Sequence, residues 1–366
     1  MPTPLSHPPL LVLCHHAEDQ ATLLTMPLRE LFSGGELFTT LGRDDLRYVH
    51  AKERGACATV ARWLQRHPDG VVVFNGANVF RAWPALRLLL LANGKYRNRQ
   101  VAYWREGATI LRDMTGLEGP SRLRRMGRRL RFAVVRRLLT NNRTWHVVNS
   151  KQCKQLILYL FGIGADRIYV SGSTTNVQAC PTGDRFHERP DIRVCMAGDL
   201  YHHKGYDLFA RIAAEFRACN GRELRYTWYG GNPDWIEQVR KRLFVNGGLD
   251  ERVTYAGYMR PLVDAMVHDD IFLLTSREES FGVAALEALA CDLPVFCFDS
   301  VGIAEILPDE FVCSDRADMI DKLRHYLGRM TEYPSGCFRA IAMRQSPEGR
   351  YGEAWKRLFA RMATKG

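Results

Sequence analysis

The chain has 366 residues, 46% of them hydrophobic, which is enough for two globular domains of ordinary size, each with its own core. No apolar run approaches the roughly 18 residues that a membrane span needs, the longest candidate lying around Leu88 to Ala92. The ten cysteines include no Cys-x-x-Cys pair, so they read as small buried apolar residues, and neither a disulfide framework nor a zinc site is expected.

Residues 8–14 are apolar, short and preceded by no basic residue. They read as a first core strand rather than a secretory signal, which places the chain in the cytoplasm. Apolar runs at 71–76, 101–104, 146–149 and 167–170 read as further strands with helical patterns between them, the signature of a parallel sheet. His15 and His16 follow the first strand, and a second adjacent pair, His202 and His203, lies downstream. Adjacent histidines seldom face one point and no Cys or acid stands at ligand spacing, so no metal is expected.

The formal net charge of +11 is unevenly spread, because residues 122–137 carry eight arginines: Arg122, Arg124, Arg125, Arg128, Arg129, Arg131, Arg136 and Arg137. Interleaved with Leu123, Met126, Leu130, Val134 and Leu138, they form a basic amphipathic helix. A solvated face would normally mix in acids, and residues 121–140 contain none. No helix-turn-helix, zinc-finger or ribonucleoprotein motif accompanies the charge, so nucleic acid is not an expected partner. Docking on an anionic membrane surface fits better, since each basic residue near such a leaflet adds on the order of 1 kcal/mol and the apolar side can insert. The protein is thus expected at the inner face of the membrane, within reach of a lipid-linked acceptor.

Residues 177–190, with Pro181, Gly183, Pro190 and many polar side chains, read as an interdomain linker with the boundary near residue 188. A strand over 193–200 leads into Tyr201-His202-His203-Lys204-Gly205, and Tyr206, Phe209, Ile212, Ala213 and Phe216 then mark an amphipathic helix ending at Asn220-Gly221. Two strand-then-glycine units follow, 226–231 through Gly230 and 253–258 through Gly257. Asp270 to Thr275 reads as a buried parallel strand, after which Val283, Leu286 and Ala290 recur at helical spacing. Residues 351–362 are again helical in pattern.

Glu279 therefore sits in a loop after a strand, and Glu287 about two turns into the next helix. In an open α/β sheet the C-terminal strand ends and adjoining helix N-termini form the ligand crevice, where free N–H groups and the helix dipole favour an anion. A phosphate would fit at Gly282, Val283 and Ala284. Two acids beside it cannot serve the phosphate as well, so their natural partners are neutral hydroxyl donors such as those of a sugar. Breaking a sugar–diphosphate bond leaves negative charge on the leaving group while the ring gains oxocarbenium character. Lys204 and the amides at 282–284 would meet that charge.

Glu279, seven intervening residues and Glu287, with Phe281-Gly282, Glu287-Ala288-Leu289-Ala290 and Pro294-Val295, resemble the signature of the retaining GT-B glycosyltransferases of family 4, the glycosyl transferases group 1. Residues 201–208 are similar to that family's phosphate-binding loop, 226–231 and 253–258 to the units that frame the nucleotide base, and 300–306 to the loop after the last paired strand, so the resemblance covers roughly residues 190–310. It implies an α/β fold of GT-B type: two Rossmann-like domains facing across a cleft, 1–188 and 189–345, with a C-terminal helix in 346–366 crossing back to the N-terminal domain. It implies a metal-independent, retaining hexosyltransferase that moves a sugar from a nucleoside diphosphate to a glycan or lipid-linked acceptor, as in cell-surface polysaccharide or glycolipid synthesis, with no cofactor. The absence of any Asp-x-Asp motif agrees with metal independence. The resemblance assigns catalysis to Glu279, Lys204 and Glu106, the donor site to Gly198, Gly230, Gly257, Arg277, Phe281, Gly282, Val283, Ala284 and Glu287, and the acceptor side to His15, His16 and Arg105. Within this set Glu279 should hold hydroxyls of the donor sugar and Glu287 the ribose.

The chain departs from the family in two places. Gly198-Asp199-Leu200 stands where the phosphate loop usually reads Gly-Arg-Leu, and an acid facing a diphosphate at contact distance costs about 4 kcal/mol at an effective dielectric near 20. Asp199 should therefore point away, or the donor is held differently, with Arg277 and His202 or His203 the nearest replacement cations. The first loop lacks paired glycines, and Arg105 stands where a histidine is usual. These departures leave a catalytically silent glycan- or partner-binding protein as the alternative. A nucleotide-sugar epimerase or phosphorylase sharing the fold is a third reading.

Overall fold

The computed structural model describes residues 10–14, 46–50, 54–68, 70–81, 83–105, 121–182, 189–245, 252–346 and 349–364. They fall into two compact units, one up to Gly172 and rejoined from Arg350, the other from Ser173 to Gly349.

The first unit is built on parallel strands β1 (Leu10–Cys14), β2 (Leu46–His50), β3 (Val71–Asn75), β4 (Arg99–Trp104), β5 (Thr144–Val148) and β6 (Ile168–Val170), in the order β2-β1-β3-β4-β5-β6. Alternate residues supply two separate cores, as the period of two requires. Leu11, Leu13, Val72, Phe74, Ala102, Trp104 and Val148 face helices α1 (Ala56–Arg66), α2 (Trp83–Asn93), α3 (Arg122–Leu139) and α4 (Lys151–Phe161). Leu10, Val12, Val71, Val73, Val101, Tyr103 and Val147 face the last helix, Arg350–Thr364, through Tyr351, Trp355, Leu358, Phe359 and Met362. The C-terminal helix therefore completes the first unit although the second intervenes in sequence. Ser150 caps α4 by accepting the Cys153 N–H at 3.2 Å, and Gly162, at φ 63°, ends it.

Helix α3 is held by its C-terminal half, where Val135 and Leu139 are buried in the first core with Phe132 and Leu138 against it. The apolar stripe of its N-terminal half is not covered, and Leu123, Met126 and Leu130 are 77%, 64% and 70% exposed.

The second unit carries β7 (Asp191–Ala197), β8 (Ala218–Cys219), β9 (Arg222–Tyr229), β10 (Val253–Gly257), β11 (Ile271–Leu274), β12 (Val295–Phe298) and β13 (Val312–Cys313), in the order β10-β9-β7-β11-β12-β13 with β8 pairing outside this path. The strands on the path are parallel and nearly all apolar where both faces are covered, as at Ile271–Leu274 and Val295–Phe298. Helix α5 (Tyr206–Glu215), which α6 (Pro233–Val245) and α7 (Leu262–Met266) follow, ends before the expected stop at Asn220-Gly221. Those two residues, at φ 52° and 76°, instead form the two-residue turn of a hairpin in which Cys219 opposes Arg222. Asn-Gly is the preferred pair for such a turn, because both positions need positive φ.

The division at Gly172 precedes the expected boundary near 188. Val177 and Cys180 belong to the second core. The guanidinium of Arg339, on the helix Cys337–Arg344, donates to the carbonyls of Val177 at 2.6 Å, Cys180 at 3.0 Å and Ala290.

Candidate functional site

Strand order in the second sheet reverses beside β7, whose neighbours β9 and β11 lead to opposite edges. At such a switch point the loops leaving the two central strands diverge and open a crevice at the C-terminal strand ends. Here they are 198–205 after β7 and 275–282 after β11.

Backbone contact at this point leaves no room for side chains. A Cβ on Gly205 would lie 1.9 Å from the Thr275 carbonyl oxygen, and one on Gly230 would lie 2.3 Å from that of Gly198. The Arg277 N–H donates to the His203 carbonyl at 2.8 Å, and the Thr275 hydroxyl to that of Gly205 at 3.1 Å. The Trp228 indole donates to the Gly198 carbonyl at 2.8 Å, and the Gly230 N–H to that of Gly257 at 2.7 Å. Four loops are thus fixed around one point.

The Arg277 guanidinium is a strut within this frame. It donates to both Asp207 oxygens at 2.8 and 2.7 Å and to the His202 carbonyl at 2.8 Å. Burial raises the Asp207 carboxyl, but the Arg277 bonds outweigh it and hold the group below its ordinary value. Arg277 is consequently not among the residues that line the pocket.

That pocket measures about 380 Å³ and is lined chiefly by Gly198, Asp199, Lys204, Gly230, Tyr258, Glu279, Gly282, Val283 and Ala284. The volume suits a small-molecule ligand. The Lys204 ammonium donates to the Glu279 carboxylate across the gap between the two loops. Gly282, at φ 100°, opens helix α8 (Val283–Ala290), whose bonding begins with the Leu286 N–H on the Gly282 carbonyl at 3.0 Å. The amides of 283–285 precede that ladder, and with the helix dipole they form a site for an anion.

Glu287 lies outside the lining but on the α8 face of Val283 and Ala284, which are four and three residues before it. Burial pushes its carboxyl up to about 7. Phe281 is buried in the second core and Gly257 anchors Gly230. His203, next to the pocket, is lowered by burial and then by the Lys204 charge.

Asp199 does not point away. It lines the pocket, and its carboxylate accepts the Tyr258 hydroxyl at 2.5 Å. This bond, with some burial, pushes the Tyr258 phenol up to about 12. Sequence reasoning places Tyr258 only at the end of the 253–258 unit that the resemblance sets beside the nucleotide base, and gives its hydroxyl no role.

On the acceptor side, Arg105 belongs to the first unit, where its carbonyl accepts the Asn149 side-chain amide at 3.3 Å. His15, His16 and Glu106 lie outside the described residues. Among the described residues no group of three or more His, Cys, Asp or Glu side chains is placed to hold a metal, and no helix is long and apolar enough to cross a membrane.

Comparison with known proteins adds four findings. Residues 191–329 match the family Glycosyl transferases group 1. D-inositol 3-phosphate glycosyltransferase of Nocardia farcinica is 28% identical over 218 residues, 54% of this chain and 48% of that protein. The phosphatidylinositol N-acetylglucosaminyltransferase GPI3 subunit of Saccharomyces cerevisiae is 30% identical over 135 residues, 36% of this chain and 29% of that protein. The matches thus span less than half the length of either relative. Among solved structures, Anabaena HepE in complex with UDP-glucose superposes with a TM-score of 0.65 at 14% identity, covering 96% of this chain and 99% of that one. The chain has the GT-B fold, and its match to the glycosyl transferases group 1 family lies within the second unit.

Proposed function

We propose that the chain is a retaining glycosyltransferase that transfers a sugar from a nucleoside diphosphate sugar to a glycan or lipid-linked glycan, without a metal. The observation that carries this reading is the pocket at the switch point, where the Lys204–Glu279 pair faces the start of α8. A diphosphate entering there would meet the free amides of 283–285 and draw the Lys204 ammonium toward itself. Glu279, released from Lys204, would then face the hydroxyls of the sugar. Lys204 and the amides are aimed where charge grows as the glycosidic bond breaks, so they stabilise the transition state more than the ground state. The bound UDP-glucose of the structurally similar HepE is consistent with such a donor. The exposed apolar and basic face of α3 would hold the enzyme on an anionic leaflet, next to a lipid-linked acceptor.

Calorimetric titration of the full chain with UDP, GDP, ADP and dTDP and their sugar conjugates tests the donor site. One base is expected to bind, and Lys204→Ala to weaken it by about tenfold to a hundredfold, the loss of one charge-assisted bond. The silent-binder reading is favoured by one observation, the acid Asp199 on the pocket wall. It predicts no nucleotide binding above background and no phenotype for Glu279→Gln.

A further inference from the structure

The charged lining of the pocket is unusual for a site that receives a diphosphate. Among the described residues it holds one cation, Lys204, and two carboxylates, Asp199 and Glu279. Lys204 and Glu279 form an ion pair, which leaves Asp199 as the unbalanced charge. Its carboxylate accepts the neutral Tyr258 hydroxyl at 2.5 Å, and among the described residues no Lys or Arg pairs with it. Arg277 is committed to Asp207, and Arg260, whose charge reaches the Tyr258 phenol, forms no ion pair with Asp199 among the described residues. His203 is held neutral near pH 7 by burial and by Lys204. Tyr258 thus fixes a carboxylate on the pocket wall without compensating it.

Such a charge separates ligands by their own charge. A free nucleoside diphosphate carries one more negative charge than its sugar conjugate, because its terminal phosphate ionises a second time with a pKa near 6. On the reading that this pocket binds a nucleoside diphosphate sugar, we propose that Asp199 sets its charge preference, favouring the intact donor over the nucleoside diphosphate that transfer leaves behind. Asp199 is then a specificity-determining residue that hastens product departure. Tyr258 is its positioning residue.

Asp199→Asn removes the charge and keeps an oxygen to accept the Tyr258 hydroxyl, and Asp199→Ser removes the charge a second way. Affinities of the full-length proteins would be measured for UDP and UDP-glucose, GDP and GDP-mannose, and ADP and ADP-glucose. For the base that binds, both variants are expected to tighten the free diphosphate by about tenfold, the effect of one like charge several ångströms away, and the sugar conjugate markedly less. A merely structural role would move both ligands together. Equal changes, no change, or weaker binding of the free diphosphate would overturn the proposal. Binding of no probe to any of the proteins would overturn the donor-site reading, and this inference with it.

Discussion

Glu287 shows how far burial alone can retune a single side chain. It has no Lys or Arg in an ion pair among the described residues, and desolvation lifts its carboxyl from an ordinary 4.5 to about 7. The sign follows from proton counting. Below about 4.5 the group is protonated whether the chain is folded or not, so it carries no penalty. Between about 4.5 and 7 the unfolded chain releases a proton that the folded one retains, so stability falls as pH rises through that window. Above it the full cost, roughly 3 kcal/mol, is present. Glu287→Gln should therefore remove this slope and make the protein more stable than wild type at pH 8, as read by urea denaturation at pH 5 to 8. Asp269, raised to about 6 mainly by burial, contributes a slope of the same sign in both proteins and cancels in the difference. An unchanged slope would mean that water reaches the Glu287 carboxylate. A ribose hydroxyl donating to it would favour the charged form, so ligand binding at pH 6.5 should expel a proton.

Between elements, Arg339 does for the linker what Arg277 does for the loops. One guanidinium ties the carbonyls of Val177 and Cys180 to that of Ala290 at the end of α8. Asp292, at φ 68°, turns back to accept the N–H groups of Gly336 and Arg339 at 2.6 and 2.9 Å. Removing Arg339 strands three part-buried carbonyls, which costs roughly 2–4 kcal/mol. Arg339→Ala should lower the thermal midpoint of the second unit by several degrees, and Arg339→Lys should recover only part, since an ammonium lacks the fork. A calorimetric scan with an unmoved midpoint would show that the carbonyls find water instead. These ties also explain what was legible in the sequence. The strand, loop and helix around Glu279 could be read because a continuous apolar run, Ile271–Leu274, gives way to a 3.6 period within a few residues. The loop frame itself could not, since Arg277 and Asp207 are 70 positions apart, as are Asp199 and Tyr258 by 59. Only the adjacency of β7, β9, β10 and β11 brings them together. Asn220-Gly221 was misread because the same pair ends a helix or turns a hairpin, and the two-residue strand β8 is too short to leave a period. β2 went unseen because its five residues, LRYVH, do not form an apolar run.

At the scale of the whole molecule, charge and apolar surface are concentrated on one helix. The C-terminal half of α3 is anchored in the first core by Val135 and Leu139, so the helix cannot simply roll its other face inward. Leu123, Met126 and Leu130 are three and four residues apart and therefore form one stripe, and all three are mostly exposed. A stripe of this kind in water is unfavourable by about 25 cal/mol for each Å² left uncovered. Arginines border it, and the first turn contains no acid. A bilayer with anionic headgroups satisfies both features at once, whereas a neutral bilayer satisfies only the first. The full-length protein should therefore co-sediment with vesicles containing phosphatidylglycerol and far less with vesicles of phosphatidylcholine alone, and added salt should weaken the binding. Replacing Arg122 and Arg124 by glutamine should weaken it by roughly thirtyfold, at about 1 kcal/mol per charge. Replacing Leu123, Met126 and Leu130 by serine should reduce binding to both kinds of vesicle, because the loss is of insertion rather than attraction. If the serine variant sediments as wild type does, the charge acts alone and the apolar stripe serves another partner. If neither variant differs from wild type, α3 is not the membrane-facing element.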